Sequence, residues 1–353
     1  MKVISIVGAR PQFIKLAPLS RKLRENFEEK IIHTGQHFDE EMSDKFFKQL
    51  EIPEPDYNLG IGGGKHGDQT GRMLIAIEDI LIKENPNLVV VFGDTNTTLA
   101  GALAAVKLHM KCVHLEAGLR SFNRSMPEEI NRIVADHISD YLFAPTQTAV
   151  GNLKNEDLEK KSFLTGDIMV DSLKDNIEKA RKYSQIIKVL SLIPDHYYLL
   201  TLHRPYNVDS PEKLKRLFRK LEYTDGQFVF PAHPRTRQVI EYNNLLVPKN
   251  IKIIKPLGYL DFIMLEANAK KIITDSGGIQ KEAYILGKSC LTLRPETEWV
   301  ETIKDGCNIL ISIDEEDFSQ KIINFNSSLS QTNVFGQSVA EKMSNIVFEI
   351  LMV

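Results

Sequence analysis

Two hydrophobic patterns alternate along the chain. Short, nearly unbroken apolar runs stand at residues 3–7 (VISIV), 31–34 and 88–92 (LVVVF), and between them apolar residues recur at helical spacing: Ile14, Leu16 and Leu19, then Met73, Leu74, Ile77, Ile80 and Leu81. The run at 88–92 has no polar face, which predicts a central parallel strand buried on both sides. Strands are also expected in KCVHLEAG (111–118), YLFAPT (141–146) and SFLTGD (162–167). A charged, mostly helical passage at about 171–190 follows. The alternation then resumes with YYLLTLHR, a helix at 211–222, QFVFPAHPR, IKIIKPLGY, a helix at 260–269, IITDSGG and SCLTLRPETEWVE. This predicts an α/β protein with two doubly wound parallel sheets facing a cleft. The expected domains are residues 1–168 and 169–335, with a final helix in 336–353 that packs on either half, the first being favoured. There is no short-period repeat and no low-complexity segment.

The stretch 271–288, KIITDSGGIQKEAYILGK, turns from a strand through two glycines into a helix. Such a turn presents bare N–H groups and the positive end of a helix dipole, which suits a phosphate. It also serves as a plain tight βα turn, and the motif alone does not separate the two. Glu282, one turn into the helix, is placed to meet ribose hydroxyls beyond a diphosphate. The other glycine-rich segment, GIGGGKHGD at 60–68, is too irregular for a dinucleotide fingerprint.

Ionisable residues gather where the expected strands end. The first half offers Arg10, Lys15, His37, Asp94, Glu116 and, in the first turn of a helix, Glu128. The second half offers His203, Arg204, His233, Arg235, Ser276 and Glu282. Acids on one edge and an anion site on the other suit chemistry that takes a proton from carbon while expelling a phosphate. Each residue has a plainer reading: Asp94 as a helix cap, Glu116 paired with Arg120, Glu128 paired with Arg132, His203 as an edge histidine, Arg10 as a structural partner of carboxylates. A metal held by Asp94, Glu116 and His37 would lack ligand-like spacing. So many charges at strand carboxyl ends weigh against a purely structural reading.

Composition narrows the field. A chain of 353 residues exceeds one typical domain, and a net charge of −3 with 26% charged residues argues against a nucleic-acid binder. Cys112, Cys290 and Cys307 are widely spaced and lack a CxxC pair, so neither a disulfide framework nor a zinc site is expected. The first apolar run is far shorter than a signal sequence, and no stretch approaches the roughly 20 apolar residues of a membrane span. A soluble cytoplasmic protein is expected.

GARPQFIKLAP, VFGDTNTTLA, HLEAGLRS, MPEEINRIVAD, TLHR and TDSGGIQKEA, in this order, resemble the motifs of the non-hydrolysing UDP-N-acetylglucosamine 2-epimerases along essentially the whole chain. The resemblance implies a GT-B architecture, a nucleotide in the interdomain cleft, a homodimer, and inversion at carbon 2 with no NAD, no required metal and no other cofactor. It implies anti elimination of UDP to a 2-acetamidoglucal and syn re-addition. Asp94, Glu116 and Glu128 match the acid/base group. His203, Arg10 and the N–H groups of Ser276, Gly277 and Gly278 match the diphosphate side. Lys15 matches a supporting cation, Glu282 the ribose-binding acid, and Phe262 the uracil-stacking ring. His37, Arg132, Arg204, His233, Arg235 and Arg294 complete the expected substrate-contacting set. Where the family usually has TERPE, this chain has Thr297-Glu298-Trp299-Val300-Glu301; GQHFDEEMS and FPAHPRTR also depart from the common form. These variants resemble the branch acting on UDP-2,3-diacetamido sugars and their uronic acids, where Arg235, Arg237 or Arg294 would meet the added carboxylate. Competing readings are a hydrolysing 2-epimerase, a GT-B glycosyltransferase and a non-catalytic UDP-sugar sensor.

Overall fold

The apolar runs pair with one another in parallel. The computed structural model describes residues 1–36, 47, 49–327 and 333–352. The chain divides into two compact units, Met1–Ser172 with Asn333–Val353, and Leu173–Thr332. Among the described residues the first unit holds β1 (Lys2–Val7), β2 (Glu28–His33), β3 (Tyr57–Asn58), β4 (Leu88–Phe92), β5 (Cys112–Leu115), β6 (Tyr141–Ala144) and β7 (Ser162–Leu164). They form one sheet in the order β3-β2-β1-β4-β5-β6-β7. The second unit holds β8 (Tyr197–Thr201), β9 (Gln227–Pro231), β10 (Ile251–Ile254), β11 (Lys271–Thr274), β12 (Ser289–Thr292) and β13 (Asn308–Leu310), in the order β10-β9-β8-β11-β12-β13. Every ladder is parallel. Both sheets therefore reverse direction at their centre, between β1 and β4 and between β8 and β11, and the carboxyl ends of strands at such a reversal are where open α/β sheets bind ligands.

The central strands are buried on both faces. Ile4, Ile6, Val89 and Val91 pack with Met73, Ile77 and Leu81 of the helix His66–Glu84. In the second unit Leu200, Phe228, Phe230 and Ile273 pack with Leu214, Leu217, Phe218 and Leu221 of the helix Pro211–Glu222. Each such aliphatic side chain contributes about 1.5–3 kcal/mol by leaving water. β2 begins three residues before the apolar run at 31–34, in the charged stretch 28–30. Glu29 points inward there, accepting from Ser5 Oγ at 2.7 Å and from Arg24 Nε at 2.9 Å, so a satisfied carboxylate occupies a core-side position. The final helix, Val339–Met352, belongs to the first unit: Ser344 Oγ donates to Lys22 O at 3.2 Å and Lys111 Nζ donates to Ile350 O at 3.0 Å.

Cys112, Cys290 and Cys307 are free and buried. Burial pushes the thiols of Cys112 and Cys290 up to about 12, which leaves them unreactive packing residues. Among the described residues no helix is long and apolar enough to cross a membrane.

Candidate active site

At the reversal of the first sheet, β1 leads into the helix Arg10–Leu23 and β4 into the turn Gly93-Asp94. Gln12 ties these two strand ends together. Its side-chain oxygen accepts from the N–H groups of Gly8 and Ala9 at 2.7 and 3.0 Å, and its Nε2 donates to Phe92 O at 2.7 Å. Lys15, buried on the same helix, pairs with Glu116 at the end of β5. Gly93 lies beneath that pair with φ of 65°; a Cβ there would stand 3.3 Å from Glu116 Oε2 and 3.5 Å from Lys15 Nζ. Glu116 itself has φ of 70°, a left-handed conformation that costs a non-glycine residue on the order of 1 kcal/mol or more and is found mainly where function demands it.

Asp94 is half-buried and pairs with Arg132, and its backbone oxygen accepts from Asn131 Nδ2 at 3.0 Å. Arg132 and Asn131 belong to the helix Pro127–Ile138, whose first turn carries Glu128. Residues three and four apart share a helix face, so Glu128 lies on the face that reaches Asp94. Glu128 has no ionic partner among the described residues. The plainer pairings do not form: Arg132 goes to Asp94 and to Glu129 at 3.0 Å, and Arg120 goes to Asp136 and Glu156, each at 2.7 Å. Arg10 is half-buried at the start of its helix, and His37 lies outside the described residues.

Behind this edge is a buried group that the sequence reading passed over. His114 on β5 meets Asp136 Oδ1 through Nδ1 at 2.7 Å and Gly93 O through Nε2 at 2.6 Å. Burial by itself would raise the Asp136 carboxyl, but the hydrogen bond and charge of His114, with Arg120, outweigh it and hold that carboxyl below its usual range. The group fixes the Gly93 peptide and hence the position of Asp94. His114 and Asp136 lie within the segments HLEAGLRS and MPEEINRIVAD, and that co-occurrence is the signal the sequence carries for the pair.

At the second reversal, Asp275 follows β11 and His203 follows β8. Asp275 is fully buried, accepts the N–H groups of His203 and Arg204 at 3.0 and 3.1 Å and Asn207 Nδ2 at 2.9 Å, and pairs with His203 Nδ1 at 2.8 Å. Burial would raise its carboxyl, but His203 and these donors keep it below the ordinary value. With Nδ1 committed to a carboxylate, Nε2 of the half-exposed imidazole is the nitrogen left to act on a ligand. Asp275, in the turn before Ser276, is the residue that orients His203.

Ser276 caps the helix Gly277–Ile285. A Cβ on Gly277 would fall 2.3 Å from Glu298 Oε1, so a larger residue there would push the Glu298 carboxylate aside. Glu298 pairs in turn with Arg294 Nη2 at 2.9 Å, while Arg294 Nη1 is buried without a hydrogen-bond partner. Trp299 is buried, with Lys281 Nζ 4.1 Å above its ring. Glu282 is buried and accepts from Tyr259 Oη at 3.0 Å. Phe262, half-buried, lies on the helix Tyr259–Asn268 that carries Tyr259. His233 and Arg235 are exposed around the start of the helix Pro234–Tyr242, and Arg235 pairs with Asp209 at 2.5 Å. Among the described residues there is no group of three or more side chains that could hold a metal.

A family profile described as UDP-N-acetylglucosamine 2-epimerase matches residues 21–348. A Methanococcus maripaludis protein named UDP-N-acetylglucosamine 2-epimerase homolog is 52% identical over 343 residues, with 96% of each chain covered. A Pseudomonas aeruginosa UDP-2,3-diacetamido-2,3-dideoxy-D-glucuronate 2-epimerase is 49% identical, with 88% of each covered. Among solved structures, Methanocaldococcus jannaschii UDP-GlcNAc 2-epimerase in complex with UDP-GlcNAc and UDP superposes with a TM-score of 0.91 at 47% identity, covering 99% of this chain and 100% of that one. Together with the strand orders, these matches give the GT-B fold of two Rossmann-like units.

Proposed function

Because this chain belongs to the UDP-N-acetylglucosamine 2-epimerase family, we propose that it inverts carbon 2 of a UDP-N-acetylhexosamine, interconverting the gluco and manno forms by elimination and re-addition of UDP. A base takes the carbon-2 proton while the bond from carbon 1 to the diphosphate oxygen breaks, leaving a 2-acetamidoglucal and UDP. The diphosphate oxygen then re-forms its bond to carbon 1, and an acid returns a proton to the other face of carbon 2. The sequence is redox-neutral, so it calls for no NAD. The observation that carries this reading is the meeting of Asp94 and Glu116 at the β1/β4 reversal, each held by a cation, with Glu128 on the adjoining helix face.

Asp94, Glu116 and Glu128 divide the two proton transfers, while Lys15 and Arg132 hold the first two carboxylates in place. His203, steadied by Asp275, acts at the diphosphate with Arg10, Arg204 and the N–H groups at Ser276, Gly277 and Gly278. Glu282 binds the ribose and Phe262 stacks on uracil. The first unit is thus the acid/base domain and the second the UDP domain of a cytoplasmic homodimer. A second reading, the same inversion on a 2,3-diacetamido uronic acid, is favoured by the 49% identical Pseudomonas aeruginosa relative and by the TEWVE sequence at 297–301. Arg235, at the surface, or Arg237 would then meet the extra carboxylate.

Turnover in deuterated water, followed by proton NMR, tests the proposal with both substrates offered side by side. Deuterium at carbon 2 of a UDP-linked epimer is the expected result, and the preferred sugar is the one that turns over. A product without label excludes the elimination route, and free sugar in place of a UDP-sugar makes this a hydrolysing enzyme.

A further inference from the structure

Three buried side-chain amides form a hydrogen-bonded row inside the first unit: Gln69 on the helix His66–Glu84, Asn96 at the start of the helix Asn96–Lys107, and Asn131 on the helix Pro127–Ile138. Gln69 Nε2 donates to Gly63 O at 3.3 Å, and its Oε1 accepts from Asn96 Nδ2 at 2.8 Å. Nδ1 of His66 stands 3.1 Å from the same Asn96 nitrogen and accepts its second hydrogen. Asn96 Oδ1 accepts from Asn131 Nδ2 at 3.2 Å, and Asn131 Nδ2 also donates to Asp94 O at 3.0 Å.

An amide has one accepting and one donating end, so each link dictates the orientation of the next. Both ends of the row meet carbonyls, Gly63 O and Asp94 O, which can only accept. Turning Asn96 around would set its oxygen against Gln69 Oε1 and its nitrogen against Asn131 Nδ2. A buried polar group left without its partner costs about 1–3 kcal/mol, so the row holds a single sense. Its far end lies in the glycine-rich segment 60–68, whose spacing fits no dinucleotide fingerprint.

We propose that Asn96 is a positioning residue for Asp94: it fixes the orientation of Asn131 and through it the Asp94 carbonyl, with the glycine-rich segment as the anchor. The proposal rests on the reading of Asp94 as an acid/base group given above. Gly93 O is held by His114 Nε2 at 2.6 Å and Asp94 O by Asn131 Nδ2 at 3.0 Å, so the peptides on both sides of the Asp94 Cα are fixed. Arg132 then has only the side-chain torsions of Asp94 left to set. The precision matters because a misplacement of about 1 Å at a reacting group can cost about 10²-fold in rate.

Asn96→Leu, close in size but unable to donate or accept, separates positioning from packing. Its kcat for epimerisation, followed by proton NMR, should fall about 10- to 100-fold, while KM and the UDP affinity read by calorimetry stay within about twofold. Asn96→Asp still accepts from Asn131 Nδ2, with Gln69 turned to donate to it, and an acid suits the first turn of a helix, so kcat should return to within about threefold of wild type. Should Asn96→Leu not fold, Asn96→Ser, whose hydroxyl is too short to reach Asn131, carries the same expected loss. An unchanged kcat in the Leu or Ser variant, a parallel fall of kcat and UDP affinity, or an Asn96→Asp enzyme equally slow overturns the positioning role. Turnover at the wild-type rate by Asp94→Asn defeats the acid/base reading of Asp94 itself, which is a separate failure.

Discussion

At the β1/β4 edge two of the three acids are matched by cations, Glu116 by Lys15 and Asp94 by Arg132, and in the layer behind Asp136 meets Arg120 and His114. The β8/β11 edge, built on the same strand order, is arranged differently. Asp275 is satisfied by N–H groups and one histidine, Arg294 pairs with Glu298, and the fully buried Glu266 feels the charge of Glu282. Carboxylates that must pass protons to and from carbon need fixed positions and a compensating charge. In the proposed reading the second edge accepts and releases UDP, and there N–H dipoles and a histidine share the work with Arg204. One topology thus supports two electrostatic solutions, and the difference lies in the residues just past each strand end.

The sharpest break in that division of labour comes from Asp94→Asn. Loss of an acid/base group costs typically 10²–10⁴-fold in rate, so epimerisation should fall by about that factor while UDP affinity, read by calorimetry, stays close to wild type. An equal loss of both would mean that Asp94 supports the fold or the nucleotide and that the two edges are not separate in function. Next in size is the cation pairing itself. Lys15 and Glu116 are about nine-tenths buried, and removing one member of a buried pair costs about 3–5 kcal/mol because the other charge is stranded. Urea unfolding of Lys15→Met should show that loss, and the double variant Lys15→Met/Glu116→Gln should recover most of it. If the double variant is no more stable than the single one, the pair is not what holds Glu116.

What could be read from the sequence follows the same line. β1, β4, β8 and β11 were legible because burial on both faces leaves uninterrupted apolar runs, and the residues after them were legible because strand ends at a reversal are where chemistry gathers. β3 and β13, short edge strands of two and three residues, carry too few positions for a pattern. Partners were hidden by distance along the chain: Lys15 reaches Glu116 across 101 positions and Asp94 reaches Arg132 across 38. Arg120 and Arg132 were near enough in sequence to suggest pairings that the fold does not use. Asp275 was hidden by its setting, since aspartate before Ser-Gly-Gly reads as turn chemistry. Glu266, among LEANAK, reads as one charge on a solvated helix face, and only its burial shows otherwise.

The smallest effect discriminates the two kinds of carboxyl most directly, because its sign differs between them. Asp275 has a folded-state carboxyl below its ordinary value, so the stability it contributes is present above the unfolded pKa of about 3.9 and is lost as pH falls through the lower, folded value. The deficit of Asp275→Asn, measured by urea unfolding, should therefore be full at neutral pH and shrink on acidification below about pH 4. Glu266 is displaced the other way, chiefly by desolvation and then by the charge of Glu282. Above about pH 4.3 the unfolded chain releases a proton that the folded chain keeps, so stability declines as pH rises toward the folded value. Glu266→Gln removes that decline: it should be more stable than wild type at neutral pH and converge on it in acid. Two profiles of the same sign would mean that Glu266 is ionised like any paired acid, and the contrast between the edges would rest on the cations alone.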